Sequence, residues 1–329
     1  MGKLIDGIWV DQPNNSEAAD GRFIRQDSEF RNWITPDGSA GPSGSGGFEA
    51  EAGRYHLYIC YACPWAHRTL IFRKLKGLEN IISYSASLPI NIKEGWDFSE
   101  DNPPENVKKI KFLHELYTRA DPTYTGKVTV PTLWDRQKNT IVNNESSEII
   151  RMFNSSFNKL GATGPDYYPT ELRSEIDEIN ERIYNTFNNG VYRSGFASTQ
   201  EAYEESVVRL FDTLDYLEKR LSGQRYLVGN QLTEADWRLF PTLIRFDAVY
   251  FGHFKCNIRR IVDYPNLYAY TRELYQIPGI ANTVKLDQYK SHYYASHLNI
   301  NPTAIIPVGP DLDFSSPHGR GNVGKEKAA

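Results

Sequence analysis

Cysteine is scarce in this chain. Three residues among 329, Cys60, Cys63 and Cys256, are too few and odd in number for a disulfide framework, so a reducing compartment is the simpler expectation. Positive charge is not in excess either. A formal net charge of -4 excludes a general nucleic-acid or membrane-surface binder, which an acidic surface would repel from phosphate. Apolar runs are short, none approaching the ~20 residues that cross a bilayer. The N-terminal stretch carries Asp6, Asp11 and Glu17 and lacks the apolar core of a signal peptide. These shortages lead us to expect a cytoplasmic protein with no nucleic-acid or membrane partner. The seven histidines show no ligand spacing around the cysteines, so no metal is expected.

What the chain has in quantity is aromatic surface. Twenty-one Tyr and 6 Trp suit dense packing or the stacking of planar ligands. The length calls for two domains, on a prior of about 150 residues each.

One octet organises the rest: Tyr61-Ala62-Cys63-Pro64-Trp65-Ala66-His67-Arg68. Proline costs little at the first helical position, because its missing N–H would have been unpaired anyway, which makes Pro64 N1 and Cys63 the N-cap. There the sulfur faces the free N–H groups and the positive end of the helix dipole, which favour a thiolate and hence a nucleophile. Most lone cysteines are buried and inert; the proline at N1 is what sets Cys63 apart. Cys60 and Cys63 spell C-x-x-C, but in a dithiol site the second cysteine lies one turn inside the helix, and position 66 is Ala. Cys63 is therefore expected to act alone, with Cys60 in the preceding strand and His67 as packing or surface.

Around the octet the pattern alternates: strand 55–60, helix 64–76, strand 81–87, an insertion at 88–105, helix 106–119, then a hairpin from Val128-Thr129-Val130-Pro131 to Thr140-Ile141-Val142 and a helix beginning in 143–150. This β-α-β-α-β-β-α order is that of a thioredoxin-like fold, in which Val130-Pro131 faces Cys63; a cis bond there would turn the Val130 backbone groups outward to pair with an extended peptide, and the other reading is a proline on an edge strand. Helical segments follow at 171–188, 201–221, 233–249 and 266–275, the third opened by the capping pattern Thr233-Glu234-Ala235-Asp236. The expected division is an N-terminal arm with a flexible Gly/Ser loop (1–50), an α/β thioredoxin-like domain (51–157), an all-helical domain (158–288) and a C-terminal tail packed back on the helices (289–329). The glycine run at 38–47 lacks the spacing and lysine of a phosphate-binding loop.

An α/β thioredoxin-like half followed by an all-α half resembles the cytosolic glutathione transferases. The match narrows with Cys63-Pro64-Trp65-Ala66-His67-Arg68, Glu94-Gly95-Trp96, Val128-Thr129-Val130-Pro131, Asn143-Asn144-Glu145-Ser146-Ser147-Glu148, Asn189-Gly190-Val191-Tyr192 and His292-Tyr293-Tyr294. In that order, over essentially the whole chain, they resemble the glutathionyl-hydroquinone reductases, the xi-class transferases. The resemblance implies glutathione as co-substrate and Cys63 as nucleophile. Trp96, Lys127, Val130, Glu145 and Ser146 would hold glutathione: Val130 through its backbone, Glu145 on the γ-glutamyl ammonium, Ser146 and its helix N-terminus on a carboxylate. Lys127 stands where the family has Arg, keeping the charge without the two-pronged hydrogen bonding. Tyr192 and Tyr293 would grip the quinol hydroxyls and serve in catalysis, with Tyr294 beside them. The implied reaction removes glutathione from glutathionylated aromatic quinols through a Cys63–glutathione mixed disulfide, with oxidised glutathione as the second product. The family also implies a homodimer.

Two other readings use the same fold. An omega-like thioltransferase or dehydroascorbate reductase would use Cys63 on other acceptors and would not need the aromatic motifs at Tyr192 and Tyr293. A non-catalytic ligand-binding homologue would keep the helices and not need Cys63.

Overall fold

The computed structural model describes residues 2–11 and 20–324; Glu17 of the arm and the last five residues of the tail lie outside the described residues. Contacts divide the chain into two units: the described residues of Met1–Asn15, Gln26–Pro165 and Asp287–Ser296 form one, and those of Ser16–Arg25, Asp166–Leu286 and His297–Ala329 the other.

In the first unit, β1 (Lys3–Ile5) and β2 (Ile8–Val10) pair as a small antiparallel ribbon. The main sheet follows. β3 (Tyr55–Ile59) leads into α1 (Pro64–Leu75), and β4 (Ser83–Ala86) returns parallel to β3. After α2 (His114–Ala120), the hairpin of β5 (Thr132–Asp135) and β6 (Thr140–Asn143) adds antiparallel strands, giving the order β4-β3-β5-β6, and α3 (Ser146–Ser155) packs against α1. Every residue of β3 is buried, because it is a central strand with side chains covered on both faces. A buried ion pair, Arg54 Nη2 to Asp135 Oδ2 at 2.6 Å, ties its start to the end of β5.

The second unit is helical: α4 (Arg173–Ile183), α5 (Gly190–Gly195), α6 (Gln200–Gly223), α7 (Glu234–Arg245), α8 (Phe251–His253) and α9 (Pro265–Tyr275). α4 and α7 each run on into a π-helical turn, at Tyr184–Asn188 and Phe246–Tyr250. The box at Thr233 forms as read, with Thr233 N donating to Asp236 Oδ2 at 2.8 Å. The other Asp236 oxygen accepts from Leu227 N and from Tyr270 O–H, so a fully buried carboxylate fixes three segments. α10 (Leu286–Ser296) closes the helix list and, from Asp287 on, belongs to the first unit.

Several expectations differ from what is observed. The helix read over 106–119 starts only at His114. Lys111 and Phe112 donate their N–H groups to Glu115 Oε1 at 3.0 and 2.9 Å, and Phe98 N pairs with Lys111 O, so the backbone before His114 is already committed. The strand read from Val128 starts at Thr132, since Pro131 has no N–H to give a ladder. The glycine run is held rather than loose: Gly47 N bonds Gly38 O, Ser45 N bonds Asn32 Oδ1, and Trp33 Nε1 bonds Ser43 Oγ. Gly38, Gly44 and Gly47 take positive φ, the reason this turn is built of glycine. The tail read as one piece from residue 289 is divided at Ser296. His292 stacks on Trp96 in the first unit, whereas Arg320 is buried in the second, donating to Glu273 and to the carbonyls of Leu221, Gln224 and Arg225.

Candidate active site

The octet folds as its chemistry requires. Cys63 is the N-cap of α1 with Pro64 at N1; its backbone is extended, and its Sγ accepts from Ala66 N at 3.5 Å and lies 3.4 Å from Val130 O. The side chain is 8 % exposed. The Val130–Pro131 bond is cis, and Val130 is buried beside the sulfur. Sequence positions 67 residues apart thus meet at one sulfur.

The neighbouring thiols are of a different kind. Cys60 is fully buried in the turn after β3, its Sγ 3.9 Å from Leu88 O, and burial pushes its thiol up to about 11. Cys256 in the second unit is likewise buried and pushed up to about 12. All three cysteines are free. Among the described residues, no group of three or more His, Cys, Asp or Glu could hold a metal ion.

Trp96 is 7 % exposed. Its Nε1 donates to Val128 O at 3.2 Å, and its ring stacks on His292 with centroids 5.4 Å apart. Lys127 is half-buried, with its carbonyl accepting from Tyr124 O–H. Glu145 is the N-cap of α3: its Oε1 accepts from Ser147 N at 2.9 Å and from Ser147 Oγ at 2.8 Å, while Ser28 Oγ donates to Oε2 at 3.3 Å. Ser146 is buried at the first turn of that helix. The start of α3 thus offers the positive end of a helix and a carboxylate side by side, which suits a zwitterionic amino-acid end.

Of the phenols, Tyr293 is buried and meets His292 edge-on, and Tyr294 is half-buried; both sit on α10 in the first unit, with Cys63 and Trp96. Tyr192 belongs to the second unit. There it lies among Phe23, Phe196, Tyr250 and Phe254, with the Arg25 guanidinium 4.8 Å over its ring and Arg25 Nε on Asn189 Oδ1 at 2.6 Å. Its ring is fixed by this cage.

Two supporting groups escaped the sequence reading. Arg68, the last residue of the octet, is buried, stacks over Trp65 and reaches Ser146 Oγ at 3.4 Å, bringing a cation to the start of α3. The Tyr117 hydroxyl donates to Thr129 O at 3.0 Å and lies 3.4 Å from Thr132 Oγ1, bracing both sides of the Val130–Pro131 turn, and it accepts from Asn144 Nδ2 at 3.0 Å. Periodicity marked Tyr117 only as an apolar helical position. His67, read as packing or surface, is 1 % exposed and faces Tyr289.

Comparison with known proteins agrees with this fold. The family model for the glutathione S-transferase N-terminal domain matches residues 62–156, and that for the C-terminal domain matches 200–273. The chain is 55% identical over 323 residues to the glutathionyl-hydroquinone reductase YqjG of Escherichia coli, covering 97% of this chain and 98% of that protein. It is 54% identical to the glutathionyl-hydroquinone reductase PcpF of Sphingobium chlorophenolicum, over 94% of this chain and 96% of the relative. Among solved structures, glutathione-bound YqjG superposes with a TM-score of 0.89 at 53% identity, covering 97% of this chain and 99% of that one. The xi-class transferase of Natrialba magadii gives 0.87 at 46% identity, covering 97% and 96%.

Proposed function

The chain belongs to the glutathionyl-hydroquinone reductases, the xi-class glutathione transferases, and we propose that it uses glutathione to reduce glutathionyl-hydroquinones to hydroquinones through a mixed disulfide at Cys63. The observation that carries the mechanism is the position of the Cys63 sulfur, at the cap of α1 and beside Val130 O.

The residues fit glutathione as a substrate. The cap N–H groups favour an anionic sulfur at Cys63. Glu145 offers a carboxylate to the γ-glutamyl ammonium, and Ser146 with the N-terminal end of α3 receives the neighbouring carboxylate; Arg68 adds charge there. The extended tripeptide runs along the Val130 backbone, and Trp96 and Lys127 take its other end, Lys127 as a single charge where a guanidinium would hold two oxygens.

In the first step the Cys63 thiolate attacks the sulfur of the conjugate. The S–S bond forms, the aryl C–S bond breaks, and its electron pair stays on the ring carbon, which takes a proton and leaves as the hydroquinone. In the second step a glutathione thiolate attacks the mixed disulfide, releasing oxidised glutathione and returning Cys63 as thiolate. The ring carbon is reduced, and the thioether sulfur of the conjugate and the thiol of one glutathione become the disulfide. A carbanion-like aryl group leaves more easily from a keto tautomer, which phenols hydrogen-bonded to the quinol hydroxyls favour; Tyr192 and Tyr293 take that role, with Tyr294 beside them. A homodimer in the cytoplasm completes the proposal, and sedimentation in solution tests the first part of it.

The test of the reaction is incubation with glutathionyl-menadiol and glutathione, following oxidised glutathione and free menadiol. Stoichiometric release of both is the expected result. No turnover here together with turnover of dehydroascorbate would replace this reading with the omega-like one.

A further inference from the structure

The N-terminal ribbon has no part in the reaction above, yet its contacts fall on the two segments assigned to one end of glutathione. On the β1 side, Leu4 exchanges both backbone hydrogen bonds with Gly126, each 3.0 Å, Gly7 N donates to Tyr124 O at 3.0 Å, and Asp6 N donates to Thr125 Oγ1 at 2.8 Å. Residues 124–126, immediately before Lys127, therefore take their pairing from the ribbon. β2 carries Trp9. Its Nε1 donates to Lys93 O at 3.0 Å, and its ring stacks on His114 with centroids 4.9 Å apart and planes 21° from parallel. Gly95 lies against the same ring: a Cβ there would stand 3.0 Å from it, and the φ of +77° also requires glycine. The next residue is Trp96.

We propose that Trp9 is a positioning residue for glutathione, holding the Lys93–Gly95 turn so that the Trp96 indole is presented in one orientation. The proposal rests on the reading that Trp96 and Lys127 hold glutathione. Trp96 is fixed on its own far side by Val128 O and by the His292 ring, and its carbonyl accepts from Leu113 N at 3.0 Å. The backbone leading into it is a run of turns with no strand or helix of its own, and Trp9 anchors that run by one hydrogen bond and one ring face. A side chain that pre-forms a binding loop lowers the ordering cost of binding and leaves bond-making at a separate sulfur untouched. Its loss falls on affinity for glutathione and not on the rate at saturation.

Three variants test this: Trp9→Ala, Trp9→Phe, which keeps a ring but loses the indole N–H, and Ile8→Ala, a control at a 69 % exposed neighbour on the same ribbon. Glutathione binding is read directly by calorimetry, and initial rates give KM and kcat separately. Trp9→Ala is expected to weaken glutathione about tenfold and raise its KM by the same factor, with kcat within about twofold of wild type. Trp9→Phe is expected in between, and Ile8→Ala at wild type. Wild-type affinity in folded Trp9→Ala, or a fall in kcat at unchanged affinity, overturns the proposal; if Trp9→Ala does not fold, wild-type affinity in Trp9→Phe overturns it. Absence of glutathione binding by the wild type overturns the site reading itself, which separates the two failures.

Discussion

At the scale of single residues, the site depends on three buried cysteines being chemically unequal. Cys60 and Cys256 are surrounded on all sides, and burial raises their thiols to about 11 and about 12, so they stay protonated at neutral pH. Cys63 differs by one feature of local sequence, the proline that makes it a helix cap. Cys63→Ala is expected to lower kcat/KM for glutathionyl-menadiol by at least about 10³-fold, because no other group supplies the sulfur for the mixed disulfide. Cys60→Ser should retain turnover within a few-fold, with a modest loss of stability from placing a hydroxyl where a buried thiol was. Mass spectrometry of protein quenched during turnover should find glutathione on Cys63 and none on Cys60. Adduct on Cys60 would restore the dithiol reading that the C-x-x-C spelling invites.

At the scale of elements, α3 couples stability to binding through one side chain. Glu145 spends Oε1 on the Ser147 N–H and keeps Oε2 for Ser28 and, on our reading, the ammonium of glutathione. Glu145→Gln retains an acceptor for the cap and should change stability by less than about 0.5 kcal/mol while raising the glutathione KM several-fold. Glu145→Ala should lose the affinity and about 1 kcal/mol of stability as well, read by urea unfolding beside glutathione saturation curves. Equal glutathione affinity in the Gln variant and the wild type would remove Glu145 from the ligand contacts. How legible each element was follows from where its determinants lie. α1 and α7 announce themselves by caps, which are local, and β3 by a run of aromatic and β-branched residues. α10 is not announced: Leu286-Asp287-Gln288-Tyr289-Lys290-Ser291-His292-Tyr293-Tyr294 has no apolar stripe, and it buries Tyr293 and sets Tyr289 and His292 against His67, Pro89 and Trp96, about 200 residues earlier. α2 begins late because Glu115 and Lys111 bind backbone that a helical period alone would have claimed. The candidate residues were legible through their motifs, whereas Arg68, Tyr117 and Arg25 act on them through contacts that no spacing reveals.

At the scale of the whole molecule, acid should find a weakness in the central sheet before it reaches the surface. His56 is fully buried in β3, its Nδ1 2.7 Å from Ser83 Oγ and its Nε2 2.8 Å from Ser85 Oγ, both on the paired parallel strand β4. Serine hydroxyls can accept from a charged ring as well as pair with a neutral one, so these hydrogen bonds do not choose between the two forms. Burial does, with Arg136 and Arg73 repelling a charge as well, and together they push the ring down to about 3. The unfolded chain protonates the same imidazole near 6.5. The folded state therefore binds fewer protons, and the stability that the neutral ring contributes is complete above pH 6.5 and drains as pH falls from 6.5 toward 3. The slope approaches about 1.4 kcal/mol per pH unit, and the loss between pH 7 and pH 5 is about 2 kcal/mol from this residue alone. Carboxylates of ordinary pKa are still ionised through that interval, so the effect stands apart from general acid unfolding. Urea unfolding of the wild type and of His56→Gln at pH 7, 6 and 5 isolates it, since the variant has nothing at position 56 to titrate. The stability difference between the two proteins should shrink by about 2 kcal/mol from pH 7 to pH 5, and parallel pH profiles would mean that His56 is charged in the folded sheet, with the serines and not the burial deciding its state.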